Sequence, residues 1–550
     1  MPERSTPTSK MLAQTIGFNK DQVLPVAFVV CVTFIGYVII RSIYYLYFHS
    51  LASLPGPFLA RITDFYGGYH AWSGRHHYHL YELHKKYGPV VRYGPNRVSF
   101  NSAVAVKDIY GASKPLRKSA GYKALLLSGN IFSLFSSIDK SFHGKRRRIM
   151  AHGFSDAALR SYEPIVQERI DKFLEILTKE AGDDGWGVSK NMSRLCAGLT
   201  FDVMGALVFG QPFKILEDES GLSYVIDAIM SASRSVGVMI HLPAFGKNNI
   251  LFKLRGFFRL IFLSLQDIKN IKAFLALSTK LVGEKSAQEA AKAAGEDIVK
   301  AQGVPNKDIL GWILDATDPE TGERLSINEV WSEARVLIIA GSDTTSTSLS
   351  GALYYLSRNP VILNKLRAEL RSTFDSENQI WPGQKINSCS YLKHVIEEAL
   401  RMSSPVGGIL WRETTVDHTV QGIRIPAGTD CGVPIYALHH NTEYFNDPHI
   451  FNPDRWDESI VGNESVTTAK SAWIPFQIGS RGCIGRPLAN MELVLTLARI
   501  VYGFDIRVDE SKRAIGQTDV ISGYTEFETR DQLTAETIGP FLQFKKNLER

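Results

Sequence analysis

The stretch that decides the fold is Phe476-Gln-Ile-Gly-Ser-Arg-Gly-Cys-Ile-Gly485. Glycines on both sides of Cys483 let the backbone turn tightly and approach a flat partner closely. The apolar run at 488–498 predicts a helix directly after the turn, and a helix N-terminus stabilises a thiolate through its dipole and free N–H groups. The stretch therefore predicts an anionic sulfur ligand of the kind that iron requires. The alternative is a buried, inert cysteine in a glycine-rich turn.

The same stretch resembles the haem-binding signature of the cytochrome P-450 family at every fixed position, including Phe476, Arg481 and Cys483. Three further motifs follow the family's order, and the resemblance extends from the N-terminal anchor to the C-terminus. It implies haem b as cofactor, with the iron bound by Cys483 and with Phe476 and Arg481 beside the haem. It also implies the family's fold, which is mainly α (α+β), with a large helical domain and a small β-rich region.

A second motif, Ala340-Gly-Ser-Asp-Thr-Thr345, lies midway along a helix predicted at 326–358. Small residues at 340 and 341 leave space beside the helix, while Asp343 and Thr344 supply an acid and a hydroxyl that can relay protons. The alternative is a solvated aspartate among small packing residues. The motif is similar to the family's oxygen-activation segment, which implies catalytic roles for Asp343 and Thr344.

A third motif, Glu398-Ala-Leu-Arg401, places two opposite charges at i and i+3 on one helix face. Apolar neighbours indicate that the pair is buried, where a carboxylate stays charged only with good partners. In the family a later arginine joins this pair, and Asn452-Pro-Asp-Arg455-Trp resembles the segment that supplies it. We therefore expect Glu398, Arg401 and Arg455 to be structural.

A fourth set consists of cations for the haem propionates. Arg481 lies two residues before the cysteine, and Arg412 is similar in position to the family's propionate arginine. The spacing of His143 and Arg147 puts both on one helical face and resembles the family's Trp-x-x-x-Arg. Histidine at 143 is a departure from that pattern, although it can still donate a hydrogen bond. The alternative for this region is a solvated basic run.

Composition agrees with one large globular enzyme: 44% of the residues are hydrophobic and 21% are charged. A net charge of +6, without a dense basic stripe, gives no indication of nucleic acid. Five scattered cysteines exclude a disulfide scaffold. Helical periodicity predicts helices at 157–179, 189–209 and 326–358, and strands at 89–93, 97–101 and 419–425. We interpret 283–306 as a helix end followed by an exposed loop.

Residues 22–40 contain no charge and would span roughly 28 Å as a helix, about one hydrocarbon core. We predict a single-pass membrane anchor in 1–50, a Pro/Gly linker at 51–57 and a catalytic domain at 58–550. Flanking charges do not settle the orientation. The resemblance implies the endoplasmic reticulum, with the domain facing the cytosol, which would leave the sequons at Asn191 and Asn463 unused.

The resemblance implies a monooxygenase that takes electrons from NADPH through NADPH-cytochrome P-450 reductase and uses O2. Segments 119–134, 406–410, 521–527 and the helix before Gly341 are expected to line the pocket, and their apolar residues favour a sizeable lipophilic substrate. Gly407 and Gly408 are expected to leave room for it. The sequence as a whole resembles those of fungal family members that modify terpenoids, polyketides or alkaloids. The alternatives are a haem-thiolate isomerase or dehydratase that needs neither O2 nor a reductase, and a non-catalytic membrane-bound haem protein. The intact Asp343-Thr344 pair favours the monooxygenase.

Overall fold

A computed structural model describes residues 20–126, 131–217, 221–293, 308–519 and 525–547. The helices are α1 (Lys20–Ile43), α2 (Phe58–Ile62), α3 (Phe65–Trp72), α4 (His76–Tyr87), α5 (Ala103–Tyr110), α6 (Lys140–Ala151), α7 (Asp156–Leu177), α8 (Met192–Phe209), α9 (Tyr224–Ile240), α10 (Ala244–Lys247), α11 (Asn249–Leu260), α12 (Leu265–Ala293), α13 (Ile309–Asp315), α14 (Ile327–Arg358), α15 (Pro360–Thr373), α16 (Gln384–Ser388), α17 (Ser390–Met402), α18 (Ile435–His439), α19 (Glu458–Val461), α20 (Asn463–Ala472) and α21 (Arg486–Gly503). The strands are β1 (Val90–Gly94), β2 (Arg97–Phe100), β3 (Leu116–Lys118), β4 (Lys190–Asn191), β5 (Arg412–Thr414), β6 (His418–Val420), β7 (Ile423–Ile425), β8 (Asp430–Gly432), β9 (Phe504–Val508), β10 (Gln517–Asp519), β11 (Thr525–Phe527), β12 (Thr529–Gln532), β13 (Thr534–Thr537) and β14 (Phe541–Lys546).

Strands form small sheets at the edges of the helical body. The largest has the order β1-β2-β8-β5-β3, in which only β2 and β8 run parallel. A second sheet has the order β4-β14-β9, and β12 pairs with β13 as a hairpin. The predicted mainly α (α+β) architecture is confirmed.

Helix α14 runs through the core for about 48 Å, given its 32 residues and a rise of about 1.5 Å per residue. A capping box between Ser326 and Glu329 fixes its start, as the sequence predicts. It ends at Arg358, and Pro360 begins the next helix. Helices α8, α17 and α21 pack against it. A Cβ added to Gly341 would lie 2.6 Å from Met204 Sδ of α8, so this glycine serves close helix packing.

One of the predicted strands differs in the structure. The predicted strand at 419–425 is the hairpin β6–β7, because Gln421 and Gly422 adopt φ of 50° and 75° and reverse the chain between the two strands. The helix end predicted within 283–306 agrees with the structure, because α12 continues to Ala293. The loop expected after it falls in 294–307, outside the described residues.

Helix α1 contains the predicted anchor. The apolar segment Pro25–Phe48 is long enough to cross a membrane and has a hydropathy of 2.3, and no residue of its most apolar 18-residue stretch is buried against the protein. Helix α8 passes the same test of length and composition, but 83% of it is buried in the core. A single N-terminal span is therefore compatible with the structure.

Candidate functional site

Cys483 lies in a tight loop directly before α21. Its N–H donates to Phe476 O at 2.8 Å, which closes the loop. Gly479 adopts φ of 74°, and a Cβ there would lie 2.1 Å from Tyr110 O, so only glycine fits. The position therefore explains why the first glycine of the motif is fixed.

The sulfur of Cys483 differs from the other cysteines beyond the anchor. Cys196, Cys389 and Cys431 are buried, whereas the Cys483 side chain retains accessible surface although protein surrounds the sulfur on most sides. Burial raises the pKa of Cys483, and the N–H of Gly485 and the charge of Arg147 act against that increase. The arrangement gives a sulfur that is open to a ligand and has donors that favour the thiolate.

The centre of α14 presents its two predicted catalytic residues in different directions. Ala340 is exposed although it lies on a core helix, and Thr344 Oγ1 donates to Ala340 O at 2.7 Å. Asp343 is buried, and Thr534 Oγ1 of β13 donates to its carboxylate. Burial raises the pKa of Asp343 to about 6, which the Thr534 hydrogen bond only partly offsets. Sequence reasoning missed Thr534, because no motif marks it and only the hairpin β12–β13 brings it to α14.

Cations converge between β3, β5 and the cysteine loop. Arg481 donates to Ser137 O at 2.7 Å, and Arg412 donates to Trp411 O at 3.2 Å. Burial lowers the pKa of Arg481 to about 10, and the charge of Arg412 adds to the decrease. Lys118 joins them although no motif identified it. Burial lowers its pKa well below the usual value, and the charges of Arg412 and Arg481 lower it further.

Helix α6 supplies His143 and Arg147. Arg147 donates to Gly482 O at 2.7 Å and so supports the cysteine loop. Burial lowers the pKa of His143 to about 3, and Arg481 adds to the decrease, so this imidazole is neutral. Both side chains line an open cavity of about 560 Å³ together with Arg481. The predicted pair therefore lies on one face of α6 beside the cysteine loop.

These residues fit a haem. Among the described residues, Lys118, Arg147, Arg412 and Arg481 form no ion pair with a carboxylate, and their side chains donate hydrogen bonds to backbone carbonyls. The Lys118 ammonium also lies over the ring of Tyr122, 4.7 Å from its centroid, and this contact supplies no negative charge. Buried cations without anions are costly unless a carboxylate-bearing ligand joins them. The two propionates of a haem have the required charge.

Glu398 is the centre of a fully partnered network. Arg401 donates to both of its oxygens at 2.9 Å, and Arg455 Nε donates to Oε1 at 3.0 Å. The Asn452 N–H and Trp456 Nε1 complete the set at 2.9 and 3.0 Å. Burial raises the pKa of Glu398, but Arg401 and Arg455 outweigh it and leave the pKa below its usual value. The three predicted structural residues lie together.

The segment expected to contact substrate is only partly as predicted. Val406 and Leu410 remain partly exposed inside the protein. The adjacent glycines were expected to leave room, but a Cβ on Gly407 would lie 3.1 Å from His77, and one on Gly408 would lie 2.7 Å from Asp531. These glycines instead allow the two side chains to approach. Residues 127–130 and 520–524, which include parts of two other expected segments, lie outside the described residues.

Comparison with known proteins agrees with this geometry. The family model for Cytochrome P450 matches residues 63–521. The chain is 37% identical to the cytochrome P450 monooxygenase poxM of Penicillium oxalicum over 92% of each chain. It is 36% identical to atnE of Emericella nidulans, with 91% and 93% covered, and 35% identical to apf7 of Gibberella fujikuroi, with 92% and 96% covered; both also bear the name cytochrome P450 monooxygenase. The family prediction is thus confirmed: the chain belongs to the cytochrome P450 family and is a monooxygenase.

Proposed function

We propose that the enzyme inserts one oxygen atom of O2 into a lipophilic small molecule at a haem held by Cys483. The observation that supports this best is Asp343, an acid without a cation partner among the described residues, whose pKa is raised to about 6 by burial. An acid with a pKa near the working pH can both accept and release a proton. Burial also raises the pKa of other carboxyl groups, including Asp202 to about 6 and Glu333 to about 7, so it is the position of Asp343 beside Thr344 in the motif that suits it to proton delivery.

When bound, the haem supplies dioxygen activation, and a thiolate ligand favours O–O cleavage. Cys483 holds the iron, and Arg147 supports its loop through Gly482 O. Arg412, Arg481 and Lys118 bind the propionates, and their positions on β5, the cysteine loop and β3 fix the orientation of the macrocycle. Phe476 positions Cys483 through its carbonyl. His143, neutral at physiological pH, contributes a hydrogen bond rather than a charge.

Asp343 and Thr344 have separate tasks in this proposal. Thr344 presents its hydroxyl on the exposed side of α14 and keeps it oriented through Ala340 O. Asp343 holds a proton on its carboxyl group and exchanges it with the Thr534 hydroxyl. The side chains point to different partners, so the acid supplies protons from the β12–β13 side and the hydroxyl receives them on the α14 face.

The electron donor is NADPH, through NADPH-cytochrome P-450 reductase. The basic residues Lys140 and Arg147 at the open cavity offer a positive surface close to Cys483. Helix α1 anchors the enzyme in the endoplasmic reticulum membrane with the domain in the cytosol. Exposed apolar side chains directly after the anchor support a domain that rests on the lipid surface: Phe58, Leu59, Phe65, Tyr69 and Trp72.

The substrate is an intermediate of fungal secondary metabolism, such as a terpenoid, polyketide or alkaloid. The fungal sources of the relatives and the partly exposed apolar residues of 406–410 support this class. Apolar lining with few polar groups favours a lipophilic ligand.

The test is to incubate the holoenzyme, the reductase and NADPH with small-molecule extracts and to record product masses. The expected result is a gain of about 16 mass units per inserted oxygen, with the label appearing from isotopic O2. Product without NADPH and without a change in mass would instead establish the isomerase alternative. Cys483→Ser should abolish product, whereas Cys389→Ser, at a buried cysteine elsewhere, should retain it.

A further inference from the structure

A small cavity lies between the start of α4, the end of α9 and the segment 406–410. Its volume is about 20 Å³, which is enough for about one oxygen-sized group, since about 10–15 Å³ of such space holds one water. Its walls are apolar on one side, where Val406, Ile409 and Leu410 lie, and polar on the other. The polar wall consists of His76, His241, Asp531 and the hydroxyl-bearing Tyr122.

The polar wall contains two buried ring nitrogens without a partner. His76 is 1% exposed and His241 is 8% exposed. Within the part of the chain that the structure describes, His76 Nε2 and His241 Nδ1 have no hydrogen-bond partner. Buried polar atoms of this kind are almost always satisfied by a partner in the functional state. Two such atoms on one cavity wall indicate a hydrogen-bonding group that enters the cavity.

Asp531 determines how His76 is oriented. His76 Nδ1 lies 3.5 Å from Asp531 Oδ2, and the pair holds the opposite nitrogen, Nε2, free for a ligand. Burial lowers the pKa of His241 well below its usual value, and the nearby His76 adds to the decrease, so His241 is neutral. A site formed by a neutral imidazole and an oriented histidine should bind an uncharged oxygen better than a charged group.

Because residue 408 is a glycine, the backbone of the apolar segment 406–410 can lie close to the polar wall. An added Cβ would lie 2.7 Å from Asp531 Oδ2 and 3.4 Å from His76 Nδ1. The backbone that leads to Leu410 therefore passes directly against the Asp531–His76 pair. A ligand that contacts the apolar side chains of this segment can reach the two ring nitrogens with a single polar group.

We propose that His76 and His241 form a subsite that binds one hydroxyl or carbonyl oxygen of the lipophilic substrate, with Asp531 as a positioning residue. The inference rests on the proposed function, since it specifies the substrate class: a lipophilic molecule that already has an oxygen distant from the carbon to be oxidised. The reaction that supplies this substrate must therefore introduce such an oxygen or retain one that is already present.

The test is an equilibrium titration of the holoenzyme, followed by the haem absorption change, with undecan-1-ol and with dodecane as probes. His76→Asn retains an amide N–H toward Asp531 but removes the Nε2 position. It should weaken binding of the alcohol by about fivefold, the value of one neutral hydrogen bond, and leave binding of the hydrocarbon unchanged. His241→Leu should give the same selective loss.

His77→Asn is the matched control, because His77 also lies 4.0 Å from Asp531 but does not line the cavity. It should leave both probes unaffected. Equal changes for both probes, no change for either, or no binding of the alcohol would overturn the subsite and leave the cavity to a structural water. The titration needs no turnover, so its failure is separate from failure of the extract experiment, which tests the monooxygenase proposal itself.

Discussion

Glu398 and Asp343 are both carboxylates in the helical core, and they differ in their partners. Glu398 accepts hydrogen bonds from two arginines, and its pKa is lowered despite complete burial. Asp343 accepts one from the hydroxyl of Thr534, and its pKa is raised to about 6. Burial acts in the same direction on both, so the cations decide which one stays charged. In the proposed mechanism, Glu398 therefore stabilises the scaffold, and Asp343 exchanges a proton.

The largest effect on stability should come from removing Glu398, the carboxylate that has arginine partners. Glu398→Ala leaves Arg401 and Arg455 as buried cations without an anion, and the loss should be about 3–5 kcal/mol in the free energy of unfolding. Chemical denaturation of the purified protein measures it. Glu369→Ala, at a carboxylate that accepts only from the backbone N–H groups of Tyr391 and Leu392, is the comparison variant and should cost less. An equal loss in both would contradict the special status of the Glu398 network.

The pH dependence of the free energy of unfolding should show that the pKa of Asp343, unlike that of Glu398, is raised. Its pKa in the folded state is about 6, above the usual 3.8 of the unfolded state. The folded state thus binds the proton more tightly, so this stabilisation is present below pH about 4 and is lost as pH rises through about 6. The difference in unfolding free energy between wild type and Asp343→Asn should change by up to about 3 kcal/mol over that window. A constant difference would show that Asp343 has an ordinary pKa.

A smaller effect is expected at the neighbouring hydroxyl. Thr344→Ala removes the group that receives protons on the α14 face, so less product and more hydrogen peroxide should form per NADPH. A tenfold fall in coupling corresponds to about 1.4 kcal/mol. Product and peroxide are measured together, and Thr344→Ser, which keeps the hydroxyl, should restore coupling. Unchanged coupling in the alanine variant would remove Thr344 from the proposed relay.

The smallest effect concerns a cation without a protein anion. Lys118→Met keeps the apolar stem but removes one proposed propionate partner. The holoenzyme should therefore lose haem to excess apomyoglobin about fivefold faster, which corresponds to about 1 kcal/mol. Lys118→Arg should retain the haem. Lys114→Met, at a partly exposed lysine paired with Asp108, should have little effect. Equal haem loss from the Lys118 and Lys114 methionine variants would argue against a role for Lys118.

Local sequence determined the features that short-range physics fixes. Glycines around Cys483, the capping box at Ser326 and Pro360 after α14 each specify backbone conformation within a few residues, so the loop and both ends of the helix were predictable. The i and i+3 spacing likewise placed Glu398 beside Arg401. The hairpin β6–β7 was missed, because alternation over seven residues does not reveal the turn within them.

Only the tertiary structure decided which distant residues meet these motifs. Thr534 reaches Asp343 across 191 positions, and Lys118 joins Arg412 because β3 pairs with β5. His76 and His241 face one cavity although they begin one helix and follow another. Motifs record neighbours along the chain, whereas these contacts depend on helix packing and strand pairing between remote segments. The sequence therefore determined the family and nominated Cys483 as the ligand, and the packed fold decided the polar partners of Asp343, Lys118 and the two histidines.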